Sequence, residues 1–184
     1  MLSGTESLDR TGGRKLARVV FDEAVIAARV RALGREITAA YPRGDLLVLG
    51  LLKGSFIFLG DLVRRIERPL QVDFLAAASY GADAVSSGNV RLLYDPETIL
   101  RGKHILLVED IIETGRTINR MAALLRGRGP ESLKICALLH KRTAEHLELD
   151  AAFVGFDAPR EFLVGYGLDH AEDFRHLPYI ASLT

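Results

Sequence analysis

A single cysteine, Cys136, leaves no internal disulfide to be made in this 184-residue chain. It lies in the apolar run Ile135 to Leu139, reads as a small buried thiol, and fits a reducing, cytoplasmic setting. Net charge is missing as well. The 24 basic side chains are balanced by 24 acidic ones, which argues against a strongly basic nucleic-acid surface. No apolar run reaches the roughly 18 residues that would span a bilayer, so no membrane partner is expected. The opening MLSGTESLDRTGGRK holds no apolar stretch and is not expected to be a secretory signal. The five histidines, His104, His140, His146, His170 and His176, show no metal-ligand spacing. Neither a Walker phosphate loop nor a Gly-x-Ser-x-Gly elbow occurs. With its one cysteine in mid-strand, the chain gives no sign of covalent catalysis.

What the chain does have is alternation. Residues 1–14 are small, polar and aperiodic, and are expected to form a flexible arm. Between Asp22 and Ala40, Ile26, Val30, Leu33 and Ile37 fall on one helical face, and Pro42 and Gly44 end the pattern. Leu46 to Leu52 is continuously apolar, as a strand covered on both faces would be. A second helical face carries Phe56, Leu59, Leu62, Val63 and Ile66. Further strands are expected at Val72 to Ala78, Val90 to Tyr94, His104 to Val108, Leu133 to Leu139 and Ala152 to Phe156, with a helix from Thr117 to Arg128. The stretch Ser79 to Asn89 has loop composition and is long enough for a mobile lid.

Strands alternating with helices predict an α/β fold, a mainly parallel sheet flanked by helices. Such sheets bind ligands beyond the carboxyl ends of their strands. The residues just after each apolar run are therefore informative: Lys53-Gly54, Ser79-Tyr80-Gly81, Glu109-Asp110 and His140-Lys141-Arg142. The richest segment runs from Ile105 to Thr117. A buried strand delivers two adjacent carboxylates, and a loop with Thr114, Gly115, Arg116 and Thr117 leads into a helix. Backbone N–H groups of such a loop and a helix N-terminus make an anion cradle, and Gly115 allows close approach. Paired carboxylates suit the vicinal hydroxyls of a ribose. A phosphate-and-sugar site at a strand-to-helix turn is the reading these residues support by themselves; a strand ending in solvated acids before a capped helix is the plain alternative.

Val108-Glu109-Asp110-Ile111-Ile112-Glu113-Thr114-Gly115 resembles the PRPP-binding signature of phosphoribosyltransferases. Leu52-Lys53-Gly54-Ser55 is similar to the pyrophosphate loop of the hypoxanthine-guanine branch, and Ser79-Tyr80-Gly81 to the start of its catalytic loop. Leu139-His140-Lys141-Arg142 looks like its purine-reading strand end. Phe162 to Asp169 looks like its base-stacking segment, and Phe174 to Ile180 like its bacterial C-terminal end. The resemblance covers about residues 18–182.

It implies a type I phosphoribosyltransferase fold. The core would run over about 42–157, with a small hood over the sheet's carboxyl edge built from the N-terminal region and 158–184. The implied activity is purine salvage: transfer of the phosphoribosyl group of PRPP to hypoxanthine, and to guanine, giving IMP or GMP and pyrophosphate. Mg²⁺ would be the cofactor and a dimer or tetramer the working form.

Roles come with the resemblance. Glu109 and Asp110 would hold the ribose hydroxyls, directly or through Mg²⁺, and residues 113–117 the 5′-phosphate. Lys53, Gly54 and Arg175 would bind pyrophosphate, with a non-proline cis peptide at Leu52-Lys53. Asp169 would coordinate a second Mg²⁺. Lys141 would donate to the 6-oxo group, Phe162 would stack on the base, and carbonyls near Leu163 and Asp169 would accept from a 2-amino group. Ser79 and Tyr80 would shield an oxocarbenium-like transition state from water. Glu113 would exchange the proton at purine N7, although the family pattern has Asp at that place; His170 likewise replaces a usual aromatic. A xanthine-preferring enzyme and a PRPP-sensing nucleic-acid-binding regulator share the fold and stand as alternatives.

Overall fold

The apolar faces of three helices cover the two sides of the central strands. In the computed structural model, which describes residues 10–78, 91–141 and 147–183, the order is β1 (Leu16–Phe21), α1 (Glu23–Ala40), β2 (Leu46–Leu52), α2 (Phe56–Val63), β3 (Gln71–Ala78), β4 (Arg91–Tyr94), β5 (His104–Ile112), α3 (Arg116–Arg126), β6 (Ser132–His140), β7 (Ala151–Asp157), β8 (Leu163–Val164) and β9 (Ile180–Leu183). The main sheet has the order β4-β3-β2-β5-β6-β7, parallel throughout except for β4, which returns antiparallel beside β3.

Alternate residues of the central strands face opposite layers. Val48, Leu106, Val108 and Leu138 pack with Ile26, Val30, Leu33 and Ile37 of α1 and with Phe58, Leu59 and Leu62 of α2. Leu47, Leu49, Ile105, Leu107 and Ile135 meet Ile118, Met121 and Leu125 of α3. Both faces are dry, which is why these strands read as unbroken apolar runs. Helix α1 starts where Asp22 caps it, its carboxylate accepting from the Val25 N–H at 2.8 Å. Because α1 packs on the sheet, the core begins earlier than Pro42.

Three expectations need correction. Phe56 opens α2 and is 46% exposed, whereas Phe58 is fully buried; a run rich in apolar residues does not define the phase of its own helix. The fifth strand runs on to Ile112, past its expected end at Val108, so the acid pair lies within it. Residues 10–14 are no loose arm. Thr11 is buried, and Arg14 pairs with Asp173 at 2.5 Å while its guanidinium lies over the Phe174 ring. A cation with both an anion and an aromatic face to meet keeps that segment on the body of the protein. Residues 1–9 and the Ser79–Asn89 loop, with Ser79 and Tyr80, lie outside the described residues.

A second, antiparallel sheet, β1-β9-β8, joins the first strand to the last. Val164, Phe174, Leu177, Tyr179 and Ala181 form its own core. Leu163, Tyr166, Leu168 and Ile180 pack into the α1/α2 layer of the main core, so the two sheets share one apolar interior. The Tyr166 hydroxyl donates to Asp61 of α2 at 2.7 Å and ties this small unit down.

At the far edge, Asp73 of β3 fastens β4 and the loop after it. Its buried carboxylate accepts from the Thr98 hydroxyl (2.7 Å), the Phe74 N–H (2.8 Å) and, at 3.4 Å each, the Thr98 N–H and the Tyr94 hydroxyl. Burial alone would push its pKa up; the Thr98 hydroxyl and the other donors outweigh that and hold it below the usual aspartate range. A depressed native pKa contributes stability above the unfolded-state value and loses it as pH falls through the native one. Asp73→Asn should therefore cost about 1–3 kcal/mol at neutral pH, and the difference from wild type should shrink as pH drops below the aspartate range. Urea unfolding at several pH values checks both.

Candidate active site

The carboxyl ends of β2, β5 and β6 point the same way, and the loop between β8 and β9 faces them. At the end of β2 the Leu52–Lys53 peptide is cis. A tight turn comes next, anchored by the buried Ser55, whose hydroxyl donates to the Leu51 carbonyl at 2.7 Å. Gly54 sits so close to β5 that a Cβ there would fall 1.7 Å from Asp110 Oδ2. Gly167, with φ +103°, packs on the other side; a Cβ on it would lie 2.1 Å from the Gly54 carbonyl oxygen. Two positions without side chains thus bring the turn, the acid pair and the small sheet into contact.

Burial dominates the electrostatics of Glu109 and Asp110. Glu109 Oε2 is buried with no hydrogen-bond partner. Burial, the Asp110 charge and a hydrogen bond between the two carboxyls together push the Glu109 pKa well above its ordinary range. Asp110 is also raised by burial, against the pull of its bonds to Glu109 and to the Ile111 N–H (2.9 Å) and of the Arg175 charge. Two acids in this condition call for a polyol or a cation. Among the described residues, no group of three or more His, Cys, Asp or Glu side chains is arranged for a metal ion. The orphaned Oε2 and its neighbour suit a cation such as Mg²⁺ that brings water and ligand oxygens with it.

Past Ile112 the chain turns at Gly115, which has φ +80°, into α3. No side chain caps this helix; Thr114 Oγ1 accepts from the Arg116 N–H at a long 3.4 Å, and Thr117 lies in the first turn. An uncapped helix start behind a glycine is open to an anion. The register of β5 and β6 does the rest. Ile112 pairs with His140, so the next residues, Glu113 and Lys141, emerge side by side, and their side chains form a close ion pair. Lys141 is nearly buried and Glu113 is half exposed. The Ala158 N–H donates to the His140 carbonyl at 2.9 Å, which starts residues 158–162 at this same strand end.

Of the predicted residues on the loop side, Phe162 is 53% exposed, with the His170 ring edge-on to it at 5.4 Å. Leu163 is buried in β8. Asp169 is not gathered with Glu109 and Asp110. One of its oxygens meets Arg175 at 2.8 Å, and the other accepts from the Glu172 N–H at 3.0 Å. A cation at Asp169 would have to compete with that guanidinium. Arg175 also donates to the Gly167 carbonyl at 2.8 Å. Ser55, Asp61, Gly167 and Glu172 were not singled out from the sequence. Ser55 and Gly167 stood within the quoted motifs; Asp61 and Glu172 gave no local signal.

Comparison with known proteins identifies the family. Residues 20–171 match the family model described as the phosphoribosyl transferase domain. The chain is 43% identical to the hypoxanthine phosphoribosyltransferases of Salmonella typhimurium and of Escherichia coli K12, in each case over 90% of this chain and 94% of the relative. Among solved structures, it is similar to a hypoxanthine-guanine phosphoribosyltransferase from Bacillus anthracis, with a TM-score of 0.87 and 37% identity over 92% of this chain and 100% of that one. A hypoxanthine phosphoribosyltransferase from Staphylococcus aureus gives a TM-score of 0.88 and 36% identity over 100% and 96%.

Proposed function

Since this chain belongs to the phosphoribosyltransferase family, we propose that it carries out purine salvage, joining hypoxanthine, and guanine, to the phosphoribosyl group of PRPP to give IMP or GMP and pyrophosphate. The observation that carries this reading is the meeting of Glu109 and Asp110, the Lys53-Gly54 turn and the Glu113–Lys141 pair at one set of strand ends.

The roles divide by chemistry. Glu109 and Asp110 accept from the ribose hydroxyls, or hold them through Mg²⁺, which when bound would offset charge on the pyrophosphoryl group. The N–H groups and hydroxyls of residues 113–117, at the start of α3, hold the 5′-phosphate. Lys53, the Gly54 backbone and Arg175 take the departing pyrophosphate. Asp169 is the residue available to a second Mg²⁺, at the cost of its bond to Arg175. Phe162 offers an exposed face to the base, and the carbonyls near Leu163 and Asp169 accept from a guanine 2-amino group.

The purine edge bearing O6 and an N7 proton is complementary to the Lys141–Glu113 pair: lysine donates to O6, and glutamate takes the N7 proton as N9 bonds to C1′ and pyrophosphate leaves. Adenine offers an amino group at position 6, which cannot accept from lysine. The resemblance assigns residues 79 and 80 to shielding the reaction from water. A dimer or tetramer goes with the reading, and so does the cytoplasm, where one buried free thiol, Cys136, suits a reducing setting.

The PRPP half is tested by Glu109→Gln with Asp110→Asn. Losing two charge-assisted contacts should weaken PRPP binding roughly 10- to 50-fold in calorimetry with Mg²⁺ present. Unchanged PRPP affinity in the folded variant would remove the acid pair from the site.

A further inference from the structure

Between Lys53 and Arg175, where the proposed function puts pyrophosphate, a carboxylate of the chain itself is already seated. Glu172 Oε1 lies 3.1 Å from Lys53 Nζ, and Glu172 Oε2 lies 3.2 Å from Arg175 Nη2. One carboxylate thereby spans two cations delivered by different parts of the fold, the end of β2 and the loop between β8 and β9. The backbone is bent to aim it. Ala171 and Glu172 both have left-handed conformations, with φ of +53° and +67°, which non-glycine residues adopt at a cost. The Glu172 N–H is held by Asp169 at 3.0 Å, which fixes the turn. Lys53 first and Arg175 second keep the Glu172 carboxyl below its usual range, so it is ionised at neutral pH.

We propose that Glu172 is an internal stand-in for pyrophosphate, a carboxylate that engages the Lys53–Arg175 cation pair and must swing aside for the ligand. The inference rests on the assignment of Lys53 and Arg175 to pyrophosphate. Carboxylate and phosphate oxygens make the same demand on lysine and on a guanidinium fork, so the two compete for one set of donors. The exchange is feasible because Glu172 and Lys53 are both about two-thirds exposed, leaving the glutamate free to turn into water. Glu172 does not satisfy the whole guanidinium, since Arg175 Nε is buried without an acceptor. The consequence is weaker retention of pyrophosphate. As the product leaves, Glu172 returns to Lys53 and joins Asp169 in balancing Arg175.

The test is the affinity of the full-length protein for inorganic pyrophosphate, titrated calorimetrically with Mg²⁺ present, in wild type and Glu172→Gln. Removing the competing charge while keeping its shape should tighten binding roughly 3- to 10-fold, the scale of two exposed ion pairs given up on binding, and the gain should shrink as salt is raised. Pyrophosphate should also become a stronger inhibitor of the forward reaction by a similar factor. Glu172→Asn, neutral and tolerant of a left-handed conformation, should act in the same direction and serves if the first variant folds poorly. Unchanged or weaker pyrophosphate binding in a folded variant, against measurable binding by wild type, would overturn the proposal and leave the pyrophosphate assignment standing. No binding by wild type and variant alike would bring down that assignment and the stand-in with it.

Discussion

Glu113→Gln should lower kcat by roughly 10²- to 10⁴-fold, the usual contribution of a positioned base or acid, and leave PRPP affinity nearly intact. The split arises from where the two functions reside. The 5′-phosphate is assigned to main-chain N–H groups and to Thr114 and Thr117, none of which the change removes. The proton at N7 is assigned to the carboxylate itself. The purine KM should rise too, because Lys141 is nearly buried and loses the anion that pairs with it.

Glu113→Asp probes the unusual length of this acid. The ion pair with Lys141 is made by glutamate, across the in-register ends of β5 and β6. Shortening the arm withdraws the carboxylate by about 1 Å, a displacement that costs on the order of 10²-fold when it misplaces a reacting group. The aspartate variant should therefore be slower than wild type. Equal or faster turnover would mean that the site is still built for the shorter acid. Near-native turnover by Glu113→Gln, in single-turnover experiments that exclude slow product release, would take Glu113 out of the proton transfer.

Gly54→Ala should be as damaging by a different route. The added Cβ would start 1.7 Å from Asp110 Oδ2, where no real contact exists. Either the turn or the carboxylate must move by more than about 1 Å, and both belong to the proposed site. A loss on the order of 10²-fold or more in kcat/KM is expected, spread over PRPP binding and chemistry. The turn also touches Gly167, so the strain should reach the small sheet, and Tm should fall along with activity. Gly54→Ala with wild-type kcat/KM would show that the turn and Asp110 are not held together as described.

Much of this was legible in the sequence because the physics was local. Leu46 to Leu52 and Ile105 to Val108 are apolar without interruption because α1 and α2 cover one face and α3 the other. Asp22 and the spacing from Ile26 to Ile37 define α1 without help from the rest of the chain. The small sheet was not legible as strands. β8 is two residues long, and β1 finds its partner β9 about 160 residues further along, so neither has a period to read. Phe56 misled because nearly every residue of α2 is apolar, and only the packed sheet chooses Phe58.

The site divides in the same way. Strand ends point to Lys53, Glu109, Asp110 and Lys141. That Glu113 touches Lys141 depends on the Ile112–His140 register, and that Glu172 reaches Lys53 depends on the fold of a distant loop. Neither can be read from spacing along the chain.

Initial rates with PRPP and Mg²⁺, measured in turn with hypoxanthine, guanine, xanthine and adenine, test the central claim most directly. With Lys141 proposed to donate to a 6-oxo group and Glu113 to accept from N7, hypoxanthine and guanine should each yield nucleotide and pyrophosphate in equal amounts. Adenine should be slower by at least the order of 10²-fold, because its amino group would face the lysine donor with neither satisfied. Pyrophosphate release from PRPP that is no faster with hypoxanthine or guanine than with adenine, or absent with all four bases, would contradict the account.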